Sequence, residues 1–320
     1  MNRREFIKKV WPASILSLSA VGIGLVFHNR TKNSDIVVQK PVIIDRRIAD
    51  DNNYPKMVII QGSDYSRLVN EAINALGGIK RFINSNDVVL IKPNIGWDRL
   101  PEQAANTNPE LVKEVVRLCL SAGAKKVIVT DISCNEYNRC FNRSGIKDAV
   151  ESVGGIIELP SERKFSEINM GGDVLGVRKV YSLYFEATKI INMPIAKHHS
   201  LTGATLGMKN WYGILGGRRN QLHQNINESI ADLANFVRPT LVIMDATRVL
   251  MRNGPQGGNI SDVLKADTII AGTDQVAIDA YTGERFFNLN SQQLGFLEIA
   301  HRKGIGNKNY SELNPKEIVL

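Results

Sequence analysis

The chain has 320 residues, 43% of them hydrophobic, with a formal net charge of +8. That apolar fraction excludes an intrinsically disordered chain, and the length suits one large domain, or one domain with a subdomain, behind an N-terminal segment. Half of the charge comes from Arg3, Arg4, Lys8, Lys9 and Arg30 against Glu5; the rest of the chain has no Lys/Arg run with interleaved aromatics, which excludes nucleic acid as a partner.

Arg3-Arg4-x-Phe6-Ile7-Lys8 has the pattern of a twin-arginine export signal, followed by an apolar run over 10–27. Such a signal implies the export machinery as a partner and a periplasmic or other extracytoplasmic location. The run is close to the minimum length of a membrane span, and no clean small-x-small cleavage site follows Phe27. Residues 1–28 therefore read as a signal or as an uncleaved membrane anchor. Residues 29–56 are polar and read as a linker, with 37–44 as a short strand or extended tether.

From residue 57 strands and helices alternate. Met57-Val58-Ile59-Ile60 is a strand ending at Gly62. Residues 65–82 have helical spacing (Leu68, Ile73, Leu76), interrupted by Gly77-Gly78. The β-branched run 87–92 predicts a buried strand, and 109–122 a helix with Asn108 as cap and Pro109 in its first turn. A strand over 127–130, a helix over 146–153 and a strand over 155–159 follow. Residues 174–185 alternate as a β-hairpin or edge strand. Further strands are expected at 189–193, 240–244 and 267–271, and further helices at 206–215, 226–237, 275–286 and 292–303. This alternation predicts an α/β fold: a mostly parallel, doubly wound sheet with flanking helices and a small β-hairpin insertion. Residues 57–290 form the α/β domain, and 291–320 a C-terminal helix and tail.

In open α/β sheets, ligands bind beyond the carboxyl ends of the strands. Polar residues recur there: Lys92-Pro93-Asn94, Asp131, Lys197-His198-His199 after Pro194, Asp245, and Thr273-Asp274. Lys92 follows a run of apolar residues, so it either snorkels to solvent or is held near an anion. The small residues of 202–207 allow close backbone approach to a ligand, and Lys209-Asn210 add a charge and an amide. Arg218-Arg219 stand in a polar loop and suit carboxylates or phosphates. His198, His199 and His223, with Asp131 or Asp245, are candidates for binding a metal or for acid–base work. No two carry a helical metal-ligand spacing, and no metal site is assigned. Asn253-Gly254-Pro255 reads as a loop over the crevice. Asp279, inside a helix, is a candidate anchor for a lysine or arginine of the pocket. Of the cysteines, Cys119 falls on an apolar helix face, while Cys134 and Cys140 are either a short-loop disulfide or two free thiols. The absence of C-x-x-C supports neither a zinc knuckle nor an iron–sulfur cluster.

Lys92-Pro93-Asn94, Asn192-Met193-Pro194 with Lys197-His198, Lys209-Asn210 with Gly213, Arg218 and His223, Asp245, Asn253-Gly254-Pro255, and Ala271-Gly272-Thr273-Asp274 with Ala277 and Asp279 occur in that order. Over residues 57–290 this series resembles domain-of-unknown-function family 362. Many members carry ferredoxin-like cysteine clusters and are taken to be redox proteins. This chain departs from that pattern, since its three scattered cysteines cannot hold a cluster, and redox chemistry here would need a separate cofactor or a partner protein. The resemblance supports Lys92, Asn94, Lys197, His198, Lys209, Asn210 and Asp245 as site residues.

The expectation is an exported enzyme, of oxidoreductase or isomerase type, that binds a small anionic ligand or a cofactor of unknown identity. Lys92, Asn94, Asp131, Lys209, Asn210, Arg218, Asn253 and Asp279 would hold the ligand, and Lys197, His198, His223 and Asp245 would carry the chemistry. The alternative is a non-catalytic periplasmic binding protein for an anionic metabolite or cofactor. A structural subunit of a membrane-tethered complex is a third reading.

Overall fold

Alternation along the run Val88–Pro93 sets the frame: Val89 and Ile91 enter one apolar core, Leu90 the other, and Lys92 follows Leu90 onto the second face. The computed structural model describes residues 40–320. The twin-arginine pattern, the apolar run 10–27 and residues 37–39 of the tether lie outside the described residues. In chain order the strands are β1 Ile44–Asp45, β2 Met57–Gln61, β3 Val88–Pro93, β4 Lys126–Val129, β5 Ile156–Ile157, β6 Phe165–Asn169, β7 Val177–Tyr181, β8 Lys189–Met193, β9 Ile195–His199, β10 Gly203–Thr205, β11 Val237–Arg238, β12 Leu241–Leu250, β13 Val263–Gly272 and β14 Lys316–Val319. The helices are α1 Tyr65–Ala75, α2 Pro109–Ser121, α3 Tyr137–Arg143, α4 Ile146–Glu151, α5 Leu183–Glu186, α6 Gly207–Asn210, α7 Ile226–Phe236, α8 Gln275–Phe287 and α9 Gly295–Arg302.

The central sheet runs β14-β2-β13-β12-β8-β3-β4-β5, with β9 beside the far part of β12 and β10 folded back on β9. All neighbours along this path are parallel except β13, which is antiparallel to β2 and β12. Helices cover both faces. Leu68 and Val69 of α1, Leu111 and Val115 of α2, and Ile146 and Val150 of α4 pack with Val89 and Ile91 on one. Ile230 and Leu233 of α7, Ile278 of α8 and Phe296 of α9 pack with Leu90 and Met244 on the other. Each such buried side chain contributes about 1.5–3 kcal/mol. The expected α/β class and mostly parallel sheet with flanking helices are thus present.

Several elements differ in extent. The helix expected over 65–82 stops at Ala75, because Gly77 and Gly78 take φ of 103° and 83° and turn the chain out of the helix. The hairpin has its arms at 165–169 and 177–181, joined through Gly171 and Gly172 at φ of 65° and 76°; residues 183–186 form a helical turn instead. Residues 206–215 give one short α-turn, Gly207–Asn210, continued as a 3-10 turn over Trp211–Ile214. The strands near 240 and 267 lengthen to 10 residues each and pair as a long antiparallel ribbon. Residues 40–320 form one unit: β1 pairs with β11 and β14 with β2, so the last part of the linker and the C-terminal tail both join sheets. Among the described residues no helix is long and apolar enough to cross a membrane.

Candidate functional site

The parallel strands β3, β4 and β8 end on the same side of the sheet, and β9 continues beyond β8 after Pro194. A cavity of about 270 Å³ opens there, lined by residues that include Lys92, Asn94, Asp131, Lys197, His199, Lys209, Asn210, Arg219 and His223. The volume lies at the low end for ligand pockets and suits a small molecule.

Lys92 is fully buried, yet all three N–H groups of its ammonium have acceptors: Asp131 Oδ1 at 2.6 Å, Pro93 O at 3.0 Å and Asn210 Oδ1 at 3.1 Å. Burial lowers its pKa from the ordinary lysine value, and the neighbouring Asp131 carboxylate opposes that shift. Asp131 also accepts the backbone N–H groups of Ile95 and Ile132. The pair therefore holds the ends of β3 and β4 together.

A chain of side-chain amides runs outward from it. Asn210 donates to Asn192 Oδ1 at 2.8 Å and accepts from Asn94 Nδ2 at 3.0 Å, while Asn94 Oδ1 accepts from Lys197 Nζ at 3.0 Å. Because the Lys92 ammonium needs an oxygen, each amide in the chain is oriented in turn. Lys197 has a second acceptor, Ala105 O at 2.6 Å, and among the described residues no carboxylate partner. Its burial lowers the pKa to about 7.

Lys209 is different. Its side chain is 92% removed from solvent, as relative exposure is 8%, and its ammonium has no hydrogen-bond acceptor among the described residues. It lies over the Tyr212 ring, 4.7 Å from the centroid, a cation–π contact of modest strength. Burial lowers its pKa to about 8. Asp279 positions it: this buried carboxylate accepts the N–H groups of Gly207 and Met208 at 2.7 and 2.8 Å, fixing the start of the turn that carries Lys209 and Asn210. A Cβ on Gly207 would come within 2.8 Å of Asp279 Oδ1, so the contact requires glycine.

His199 and His223 stack with ring centroids 6.3 Å apart and planes 11° from parallel. Nδ1 of His199 accepts from the backbone N–H groups of Leu201 at 3.2 Å and Thr202 at 3.4 Å, which leaves its proton on Nε2. Nδ1 of His223 faces Asn220 O at 3.0 Å and donates to it, which leaves a lone pair on Nε2. Burial, with Lys209 nearby, holds His199 at about 3 and lowers His223 as well. Both rings are therefore neutral near pH 7, one presenting an N–H and the other an acceptor.

Not every expected residue reaches the cavity. Strand alternation points Lys197 and His199 inward and His198 away, where its Nδ1 accepts from Gly254 N at 3.2 Å and ties the 253–258 loop to β9. Asp245 serves the scaffold: it accepts from Asn108 N at 2.8 Å at the start of α2, and from Thr247 N and Oγ1. Asn253 bonds Asp262 at 2.7 Å, while Pro255 of the same loop reaches the cavity. Arg218 lines a neighbouring surface pocket with Arg178 and Lys179. Arg219 takes its place at the cavity, its guanidinium bonded to the carbonyls of Ile132 and Ser133 at 2.7 and 2.8 Å. In the sequence Arg219 stands out only as part of the basic loop, and Thr205, whose buried hydroxyl has no partner among the described residues, does not stand out at all. Cys134 and Cys140 are free thiols, Cys134 at the cavity and Cys140 buried. No cluster of His, Cys, Asp and Glu among the described residues could hold a metal ion.

Comparison with known proteins gives three results. The chain is 24% identical over 262 residues to the thylakoid-associated protein sll1697 of Synechocystis sp., covering 78% of this chain and 79% of that one. Its fold overlaps the lactate racemase apoprotein from Thermoanaerobacterium thermosaccharolyticum with a TM-score of 0.39 and 15% identity, covering 81% of this chain and 58% of that chain. A family model described as "Domain of unknown function (DUF362)" matches residues 89–284, a span that contains every residue lining the cavity. The chain belongs to the DUF362 family.

Proposed function

We propose that the crevice binds a small anion and moves a proton on it, as an enzyme of isomerase or oxidoreductase type. The observation that carries this reading is Lys209, a largely buried residue at the cavity whose ammonium has no hydrogen-bond acceptor among the described residues. A buried cation without a counter-charge is costly, and the cavity's one carboxylate, Asp131, is already engaged by Lys92. An anionic ligand would supply the missing charge. Arg219 adds a positive field beside it, and the amide chain holds Lys197 in a fixed position. Nε2 of His223 is the group placed to take a proton, and Nε2–H of His199 the group placed to stabilise oxygen charge that develops as it leaves.

Proton transfer is tested by incubating the protein in D2O with a panel of small 2-hydroxy, 2-amino and 2-oxo acids and following deuterium by NMR, at the carbon beside the carboxylate in the first two and at the carbon beyond the carbonyl in the third. Catalysed exchange is expected for at least one acid, with His223→Gln slowing it by about 10²–10⁴-fold, the usual contribution of a general base. Binding without exchange for any acid would replace the enzyme with a carrier.

Export is a second part of the proposal, supported by the Arg3-Arg4-x-Phe6-Ile7-Lys8 pattern and the apolar run after it. The thylakoid association in the relative's name agrees with a membrane tether. Cell fractionation should find Arg3→Lys with Arg4→Lys trapped in the cytoplasm, whereas normal export of that double variant would remove the twin-arginine assignment.

A further inference from the structure

Two lysines in this crevice are fully buried, and they differ in how many acceptors they have. Lys92 has three, one for each N–H of an ammonium. Lys197 has two among the described residues, Asn94 Oδ1 at 3.0 Å and Ala105 O at 2.6 Å. Two acceptors satisfy both N–H groups of a neutral amine and leave its lone pair over; an ammonium there would bury a third N–H unsatisfied. Thr205 is the register partner of Lys197 across β9 and β10, and its buried hydroxyl, also at the cavity wall, has no partner among the described residues.

We infer that Lys197 is a nucleophilic amine that forms an imine with the carbonyl carbon of a small 2-oxo acid bound in the crevice. This deepens the anion-binding reading and rests on it: the ammonium of Lys209 takes the carboxylate, and Lys197 takes the adjacent carbonyl. The lone pair of Nζ adds to the carbonyl carbon, and the C=O π pair moves to oxygen. His223 Nε2 carries one proton from nitrogen to that oxygen, giving the carbinolamine, whose hydroxyl bonds Thr205 Oγ1 and His199 Nε2–H. The nitrogen lone pair then closes the C=N bond as the C–O bond breaks. The second nitrogen proton follows to the departing oxygen, so the products are imine and water, and no oxidant or reductant is consumed. The depressed proton affinity of Lys197, to about 7 through burial, keeps much of it as free amine near neutrality.

The test uses pyruvate with sodium cyanoborohydride, which reduces an imine to a stable carboxyethyl-lysine, followed by peptide mass mapping. Oxalate, an anion of similar size with no ketone, is titrated into the same preparation by calorimetry. A carboxyethyl group concentrated on Lys197, blocked by oxalate and absent from Lys197→Met, is expected. Retained oxalate binding by Lys197→Met would show that the variant is folded. Oxalate binding without any adduct, or label on Lys209 or spread over surface lysines, overturns the imine and leaves the anion site standing. Failure of both oxalate binding and adduct formation overturns the two readings together.

Discussion

Replacing Lys92 with methionine is expected to lower the unfolding free energy by about 3–5 kcal/mol, the usual cost of removing one partner of a buried ion pair. The variant strands the Asp131 carboxylate beside two backbone N–H groups with its counter-ion gone. Adding Asp131→Asn to Lys92→Met should recover more than half of the loss, since it removes the stranded charge and retains an acceptor. Gly213→Ala reaches the same pair from the other side. A Cβ there would sit 1.9 Å from Asp131 Oδ1 and 2.6 Å from Lys92 Nζ, which no side-chain adjustment accommodates without opening the bridge. Urea denaturation measures all three, and a loss below about 1 kcal/mol for Lys92→Met, the range of an exposed pair, would show that the pair does not organise the strand ends.

Lys209→Met should have the opposite effect on stability and the larger effect on function. Removing a largely buried ammonium that has no acceptor among the described residues should raise the stability of the ligand-free protein by about 1 kcal/mol, a stabilisation typical of sites kept for activity. Losing the partner of a buried anion should cost about 2 kcal/mol or more of binding free energy, at least a ~30-fold loss of affinity. The pH dependence has a definite sign. Burial holds Lys209 at about 8, against an ordinary value of 10.5, and Lys197 at about 7. The unfolded chain therefore binds more protons than the folded one from about 7 up to 10.5, so these two groups make stability rise with pH across that window. Below it both states are protonated, and the cost of burying the ammonium is felt in full. Anion affinity runs the other way and falls as Lys209 loses its proton above about 8. Lys209→Met should flatten the upper part of both curves, as thermal melts at stepped pH with and without ligand would record.

Much of this was legible in the sequence because strand ends advertise themselves. Lys92, Asn94, Asp131, Lys197, Lys209 and Asn210 all reach the crevice, and each stands just after an apolar run or in a small-residue turn. What sequence reasoning missed came from orientation. His198 and His199 are indistinguishable by position, and period-2 alternation from Lys197 selects His199 only because residues 195–199 form a strand beyond the expected 189–193. Arg218 and Arg219 lie in an irregular loop, where no period decides which one turns inward. Asp245 and Asp279 are both buried, but one holds the backbone N–H of Asn108 at the start of α2 and the other anchors the Lys209 turn, and only tertiary contacts separate the two roles. Helix α3 and strand β14 also escaped notice. The first is short, and the second gains its place in the sheet from pairing with β2, a contact that nothing local in the sequence encodes.

The most direct measurement is a calorimetric titration of oxalate into the wild-type protein at pH 7 and again at pH 9. Saturable binding near neutrality that weakens several-fold at the higher pH, through deprotonation of Lys209, is the result expected of a crevice built around an uncompensated buried ammonium. Affinity that is absent at both values, or that is the same at pH 9 as at pH 7 and unchanged in Lys209→Met, would contradict it.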